Sequence, residues 1–522
     1  MALAPIPIAA RGLSGQREPT KLRTGDLSIA TNLDFSVPGL VQKEPGSVKV
    51  NAVALAGAPV VAVGKEFWPT ESAQRRVVVT QDGKIYRDDM TGAFGTTLKS
   101  GLTGGKVCHI VEGGAEGVSR ARKLFFMNGG VDPVQVLAGD AGATANIATP
   151  PADWTGSAHP TFMFPFRGFL IAGGVSSNPH FLYGCLATDH EVWTGGTVLG
   201  LLCYPSDGRH LVAGISALGR AWVFKWPRGV FWIDDSASAV TGWFVQPLSR
   251  ELGGAPTPWC ATQIEDATIA FMSDSGHIVL IEETAGALAG AVPVDLTKEL
   301  NLLDVTRTEF NLARLDQAQL HWYKEKKQLH ALYAGFGTTQ ENRRLIIDFS
   351  GERPRAEITR KDLNSSLWFE LESDNVSRPR IGDNAGFVRK LDQVARTVDG
   401  SAYPFQLQTA PSDLSDLKAA FAGKKEFYRL HLEFVPTGNF DVTCGVIIDG
   451  RQRGTVTFNM GAAGSQLPFV LPGILGGFDL RRRSHDIAGQ GYTLALEFLD
   501  NSSSNPQLSR AWAEFDLLGM QP

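Results

Sequence analysis

The stretch that decides the fold is Ala221-Trp222-Val223-Phe224-Lys225-Trp226, Pro227-Arg228-Gly229, Val230-Phe231-Trp232-Ile233. Two apolar runs of strand length flank a Pro/Gly turn, which predicts a β-hairpin. Its aromatics could stack on sugars or nucleic-acid bases, but on alternating strand positions they read as sheet core. The same texture extends in both directions. Val77-Val78-Val79-Thr80 turns at Gln81-Asp82-Gly83-Lys84 into Ile85-Tyr86. Leu124 to Met127 precedes Asn128-Gly129-Gly130, and Phe169 to Ala172 precedes Gly173-Gly174. Phe271-Met272 turns at Ser273-Asp274-Ser275-Gly276 into His277 to Leu280. Gln328 to Tyr333, Leu345 to Phe349 and Phe387 to Leu391 continue the series.

The hairpins recur roughly forty to sixty residues apart, close to one propeller blade each. No blade carries a strict signature. The fold class expected is therefore all-β: a degenerate β-propeller of about six to eight blades over residues 46–410, followed by an antiparallel β-sandwich over 424–522. A pair of sandwiches is the rival. Runs such as Val77 to Val79 suit sheets buried on both faces, as stacked blades require. Residues 1–45 read as an irregular arm able to supply one strand from Gly25 to Phe35, and 411–423 as a linker with a short helix starting at Ser412 and presenting Leu414, Leu417 and Phe421. A further helical region is expected from Leu296 to Leu315. In the sandwich, Tyr428, Leu430, Leu432 and Phe434 alternate with Arg429, His431 and Glu433, and Val442 to Ile448, Leu494 to Phe498 and Ala511 to Leu517 repeat the period of two.

The 522 residues are 43% hydrophobic and 20% charged, with a net charge of −5. A core can form, and there is no cationic surplus for coating nucleic acid. The 57 glycines and 28 prolines punctuate apolar runs as turns. Cys108, Cys185, Cys203, Cys260 and Cys444 have neither metal nor redox spacing and read as reduced, buried thiols. Met1 to Ala10 lack a basic region and carry Pro5 and Pro7, so no secretory signal is expected; no apolar run is long enough to predict a membrane span.

A search for chemistry yields no catalytic, cofactor or metal residues. HExxH, CxxC, P-loop, GxSxG and GxGxxG patterns are all absent. His321 and His330 lie nine residues apart on expected strands, which is not ligand spacing. The acidic pairs Asp88-Asp89, Asp234-Asp235 and Glu282-Glu283 cannot each form a glycosidase couple, because neighbours on a strand point to opposite faces. Ser273-Asp274-Ser275-Gly276 partly matches the Asp-box turn of sialidase propellers, a hairpin that stabilises the fold. Arg481-Arg482-Arg483, followed by His485 and Asp486, is the one basic run; it reads as a salt-bridged edge or a subunit contact, with phosphate binding the weaker alternative. Asn364-Ser365-Ser366 fits a glycosylation pattern that is frequent by chance.

Several segments together resemble the nozzle, tail-tubular-B-like or tail-hub propeller proteins of bacteriophages. They are Asn32-Leu33-Asp34-Phe35 with Pro38-Gly39 and Lys43-Glu44-Pro45-Gly46; Phe166 to Gly173 with Asn178-Pro179, Phe181-Leu182-Tyr183 and Trp193; Ala221 to Ile233; and Leu252-Gly253-Gly254 leading to Phe271 to Gly276. Phe427-Tyr428-Arg429-Leu430, Asp449-Gly450, Leu475-Gly476-Gly477 and Gly489-Gln490-Gly491 extend the likeness to the C-terminal unit. Glu44 departs from the family pattern, which is usually basic there. The resemblance implies a non-enzymatic virion structural protein in the tail or neck, assembled in the host bacterial cytoplasm. It implies a homo-oligomeric ring, a hexamer, around the DNA ejection channel, with no sequence-specific DNA binding. The ring would dock on a portal adaptor or tail-tube protein and carry tail fibres or spikes. The alternative reading is a propeller-based carbohydrate-binding protein or glycosidase acting on host surface glycan, which requires a central pocket with carboxylates and an aromatic platform.

Overall fold

The computed structural model describes the chain except residues 1, 9–10, 16–24, 56–60, 115–121, 196–197, 206, 267, 283–292, 362–363, 416, 419–422, 462–479 and 519–522. Glu283, Phe421 and the Leu475-Gly476-Gly477 turn lie outside the described residues.

The hairpin at 221–233 shows why blades form. Ala221 pairs with Ile233, and Val223 with Phe231. These four face one neighbouring sheet, in the core cluster holding Phe162 and Leu170. Trp222 pairs with Trp232 and Phe224 with Val230; these four face the opposite neighbour, in the cluster holding Phe271 and Ile281. A sheet apolar on both faces must be sandwiched between two others, and repetition of that demand closes a ring.

Among the described residues the ring has seven blades of four antiparallel strands, six of them in chain order from Val61–Thr70 to Arg355–Thr359. Their innermost strands are Val61–Thr70, Cys108–Gly114, Phe162–Phe166, His210–Ala217, Ala261–Ile264, Gln319–Tyr323 and Asn364–Leu371. Each packs against the next, and Asn364–Leu371 returns to Val61–Thr70. At that closing contact a Cβ on Gly64 would lie 2.6 Å from the Trp368 ring, so only glycine lets blades 1 and 7 meet. Blade 7 supplies only three strands from its own stretch. Its fourth is Gly46–Lys49, paired with Val388–Gln393, so the N-terminal region locks the ring.

The C-terminal unit is a sandwich with a core that includes Phe427, Leu430, Phe434, Val446, Leu496, Phe498, Ala513 and Phe515. In one sheet, Lys425–Phe434 lies between Gln507–Leu517 and Arg481–Gly491. In the other, Asp441–Ile448 lies between Arg451–Asn459 and Leu494–Asp500. Tyr428 is not inward as the alternation predicts. A bulge between Phe427 and Arg429 shifts the register, so Phe427 is buried and the Tyr428 hydroxyl donates to Glu426 Oε2.

Residues 1–45 supply more than the single strand expected of an arm. Ala2–Pro7 pairs along Gln507–Leu517. Asp26–Thr31 pairs with Phe405–Thr409, which pairs with Leu494–Asp500. Thr31 also meets Ile358 on the outer strand of blade 6, so that blade and the second sandwich sheet form one ten-stranded sheet. Helices occur at Leu296–Glu299 and Leu303–Glu309, within the helical region expected, and a 3-10 turn at Leu312–Gln317 runs two residues past its end. At Ser412 the described residues hold no helix: Ser412 forms a β-bridge with Leu494, and its side chain accepts from the Leu414 amide.

Candidate functional site: the closed axis and mouth of the propeller

The innermost strands converge on an axis that side chains fill. Pro256 and Pro258 stiffen the loop before blade 5, and Thr257 Oγ1 donates to the Ala318 carbonyl at 2.7 Å. That anchor aims Trp259 across the ring. Its indole Nε1 donates to the Cys108 carbonyl on blade 2 at 2.9 Å, and its own carbonyl accepts from the Leu320 amide of blade 6. The ring meets His109 edge-on, centroids 4.7 Å apart, and lies 6.0 Å from His321. His321 in turn faces Phe369 of blade 7. Burial, aided by nearby Lys65, pushes His109 down to about 3, and burial pushes His321 down to about 4. Both are neutral at physiological pH. Lys65 is itself lowered by burial, against the pull of Glu112 and Glu66.

Beside this plug opens a cavity of about 570 Å³, within the range of about 300–1,000 Å³ usual for small-ligand sites. His210, Trp226, Pro256, Pro258, Asp274 and Asp316 line it. His210 and Trp226 are directly opposed in register, so they share one face of blade 4. Asp274 sits in the Ser273–Gly276 turn, within 3.6 Å of Arg228. Asp316 is paired with Arg314 at 2.9 Å. The turn Leu312–Gln317 separates this cavity from a much smaller hollow of about 40 Å³ lined by Gln81, Lys106, Gln317, Gln340 and Glu341. The Gln317 amide, oriented with its nitrogen toward Glu341, donates to Oε1 at 3.1 Å. Burial pushes Glu341 up to about 8, so it is largely protonated at neutral pH.

The residues singled out in the sequence fall mostly elsewhere. The acidic pairs are split. Asp88 is buried beneath Arg76 and holds the amides of Thr91 and Gly92, whereas Asp89 is exposed beside Arg75 and Arg87. Asp234 accepts from Ser236 and Gln246, and Asp235 from Arg167. His321 and His330 face each other across paired strands, yet among the described residues no group of three or more His, Cys, Asp or Glu side chains could hold a metal. All five cysteines are buried and free. Arg482 lies over the Trp512 ring at 4.1 Å, and Arg483 donates to the Gly461 carbonyl. Of the mouth residues, Asp274 is marked by its turn motif, Trp226 by the aromatic hairpin and Gln81 by the Asp-Gly turn. The glutamines come from separate turns whose convergence no local spacing announces.

No family model and no curated protein sequence matches the chain. Among solved structures it is similar to one titled BBS1N in complex with ARL6DN, at 11% identity and TM-score 0.42, covering 67% of this chain and 99% of that one. It is also similar to an exo-β-1,3-galactanase from Phanerochaete chrysosporium with galactose, at 10% identity and TM-score 0.29, covering 91% and 100%. At these scores neither likeness adds to the architecture read from strand pairing, and neither speaks to function.

Proposed function

We propose that this chain is a non-catalytic virion structural protein, a nozzle or hub subunit of a bacteriophage tail. In that role it forms a ring around the DNA ejection channel and joins an adaptor or tube protein to fibres or spikes. The observation that carries the reading is the interlock: residues 46–49 close the propeller while Ala2–Pro7 and Asp26–Thr31 are built into the sandwich. One N-terminal region ties both units together, which suits a block that transmits load. The sequence resemblance to tail proteins supplies the specific role.

Trp259 fills the axis of the single chain, so on this reading DNA passes between copies and not through a propeller. The contact face proposed is the outer side of the sandwich. There Leu3 is 49% exposed, Pro5 sits opposite Trp512 in register, and Arg482 and Arg510 flank the indole. A half-buried Trp framed by exposed Arg side chains, with Leu3 exposed beside it, has the aromatic and Arg character of a docking surface, and head-to-tail contacts of identical blocks close into rings. Negative-stain imaging with light scattering tests the proposal. Closed rings are expected, six-fold on the family resemblance, and a monomer persisting at high concentration and in the presence of tail extract would sink it.

A further inference from the structure

We infer that the mouth of the propeller binds a neutral, hydroxyl-rich ligand, a short oligosaccharide. Three features of the lining select this class. First, the main cavity offers flat apolar surface: Trp226, half-buried, with Pro256 and Pro258. The C–H face of a pyranose covers such surface, and aromatic rings are the side chains that combine that area with a defined geometry. Second, the adjoining hollow, which meets the main cavity at Val107, presents the amides of Gln81 and Gln340, that of Gln317 being held between Glu341 and Arg314. An amide donates and accepts at once, as does a sugar hydroxyl. Third, most charge at the mouth is already answered. Asp274 lies near Arg228 and Asp316 is paired with Arg314, and Glu341 is buried against the Gln317 amide. Among the described residues that line the mouth, Lys106, exposed at the rim, is the cation that remains. A phosphorylated or sialylated ligand would lack a cationic cradle, and a basic peptide would have to displace existing ion pairs. A neutral polar ligand does neither.

The mouth is also built to keep its shape. A Cβ on Gly253 would fall 2.3 Å from Asp274 Oδ1, and one on Gly276 would fall 2.7 Å from Leu312. The Tyr333 hydroxyl donates to the Gly276 carbonyl at 3.0 Å.

This inference stands apart from ring assembly, which is measured separately. The full chain is screened against an array of neutral bacterial surface oligosaccharides of two to six units, with sialylated glycans, phosphorylated glycans and proline-rich peptides as comparison arms. The best neutral oligosaccharide is then titrated calorimetrically. At least one neutral oligosaccharide is expected to bind, Trp226→Ala to weaken it at least tenfold, and Gln340→Ala several-fold. Arg451→Ala, on an exposed strand of the sandwich, is expected to leave binding unchanged. Gln340 lies at the surface of the hollow, so its variant keeps the test open should Trp226→Ala fail to fold. No neutral oligosaccharide bound, binding confined to the anionic or peptide arms, or affinity intact in both mouth variants would overturn the inference. Release of free sugar during titration would support the site while removing the non-catalytic reading.

Discussion

The indole of Trp259, on the loop before blade 5, donates its N–H to the carbonyl of Cys108 on blade 2 at 2.9 Å, a hydrogen bond across the axis of the ring. Replacing Trp259 by Ala removes that bond and the edge contact with His109. Trp259 is half-buried, so its replacement by Ala should cost less than the about 3 kcal/mol of a fully buried aromatic, roughly 2 kcal/mol, and Trp259→Phe, which keeps most of the packing, closer to about 1 kcal/mol. Urea unfolding of both variants checks the order. The alanine variant should also let water reach His109, raising its depressed pKa toward the ordinary histidine value, as followed by the imidazole NMR signals.

The N-terminal interlock makes a different prediction from that of a detachable arm. Ala4 and Ile6 are buried in the sandwich, and Ala2–Pro7 covers the edge of Gln507–Leu517. Deleting residues 1–7 should therefore strip hydrogen-exchange protection from the Gln507–Leu517 amides that face Ala2–Pro7, while those facing Lys425–Phe434, and blade 1 at Val77 to Thr80, stay protected. Deleting 1–30 should loosen the whole sandwich, because Asp26–Thr31 goes as well. Full protection of Gln507–Leu517 after the shorter deletion would refute the interlock. Any loss of oligomer must then be attributed to the sandwich and not to a free arm.

These two cases show what was legible in the sequence. The hairpin at 221–233 announces a blade because both its faces are apolar, and the sandwich strands announce themselves by alternation. Those are local patterns. Gly46–Lys49 carries no such mark, since its partner Val388–Gln393 lies more than three hundred residues away and the pairing is made by backbone groups. Tyr428 reads as inward until the bulge beside it turns it outward. The mouth is hardest of all to read: Gln81, Gln317 and Gln340 are ordinary turn residues until ring closure brings them together.

Glu44 carries much of the junction between the N-terminal region and blade 6. Its carboxylate accepts from Arg344 at 2.6 Å and from Thr359 Oγ1 at 2.8 Å, and it pairs with Lys361 at 3.1 Å. Arg344 is fully buried. Removing one partner of a buried pair leaves a bare charge and costs about 3–5 kcal/mol. Glu44→Ala should fall in that range by urea unfolding, whereas the double variant Glu44→Ala with Arg344→Met should recover part of the loss. Additive losses in the double variant would show that the pair does not act as a unit.

Glu341 gives the chain a pH dependence whose sign follows from its site. Burial raises its folded pKa from the ordinary 4.5 to about 8. Below pH 4.5 folded and unfolded chains both hold the proton, and the group favours neither. Between those limits the unfolded chain has released it and the folded chain has kept it, so stability falls as pH rises. Glu341→Gln keeps a neutral side chain of the same length and removes the titration. Its stability relative to wild type should increase by more than about 1 kcal/mol between pH 5 and pH 8, since each unit of pKa shift is worth about 1.4 kcal/mol. The difference should then level off above about pH 8. Urea unfolding of the two proteins across that range is the measurement, and a constant difference from pH 5 to 8 would place Glu341 in contact with water, ionised and without its protonated role at the mouth.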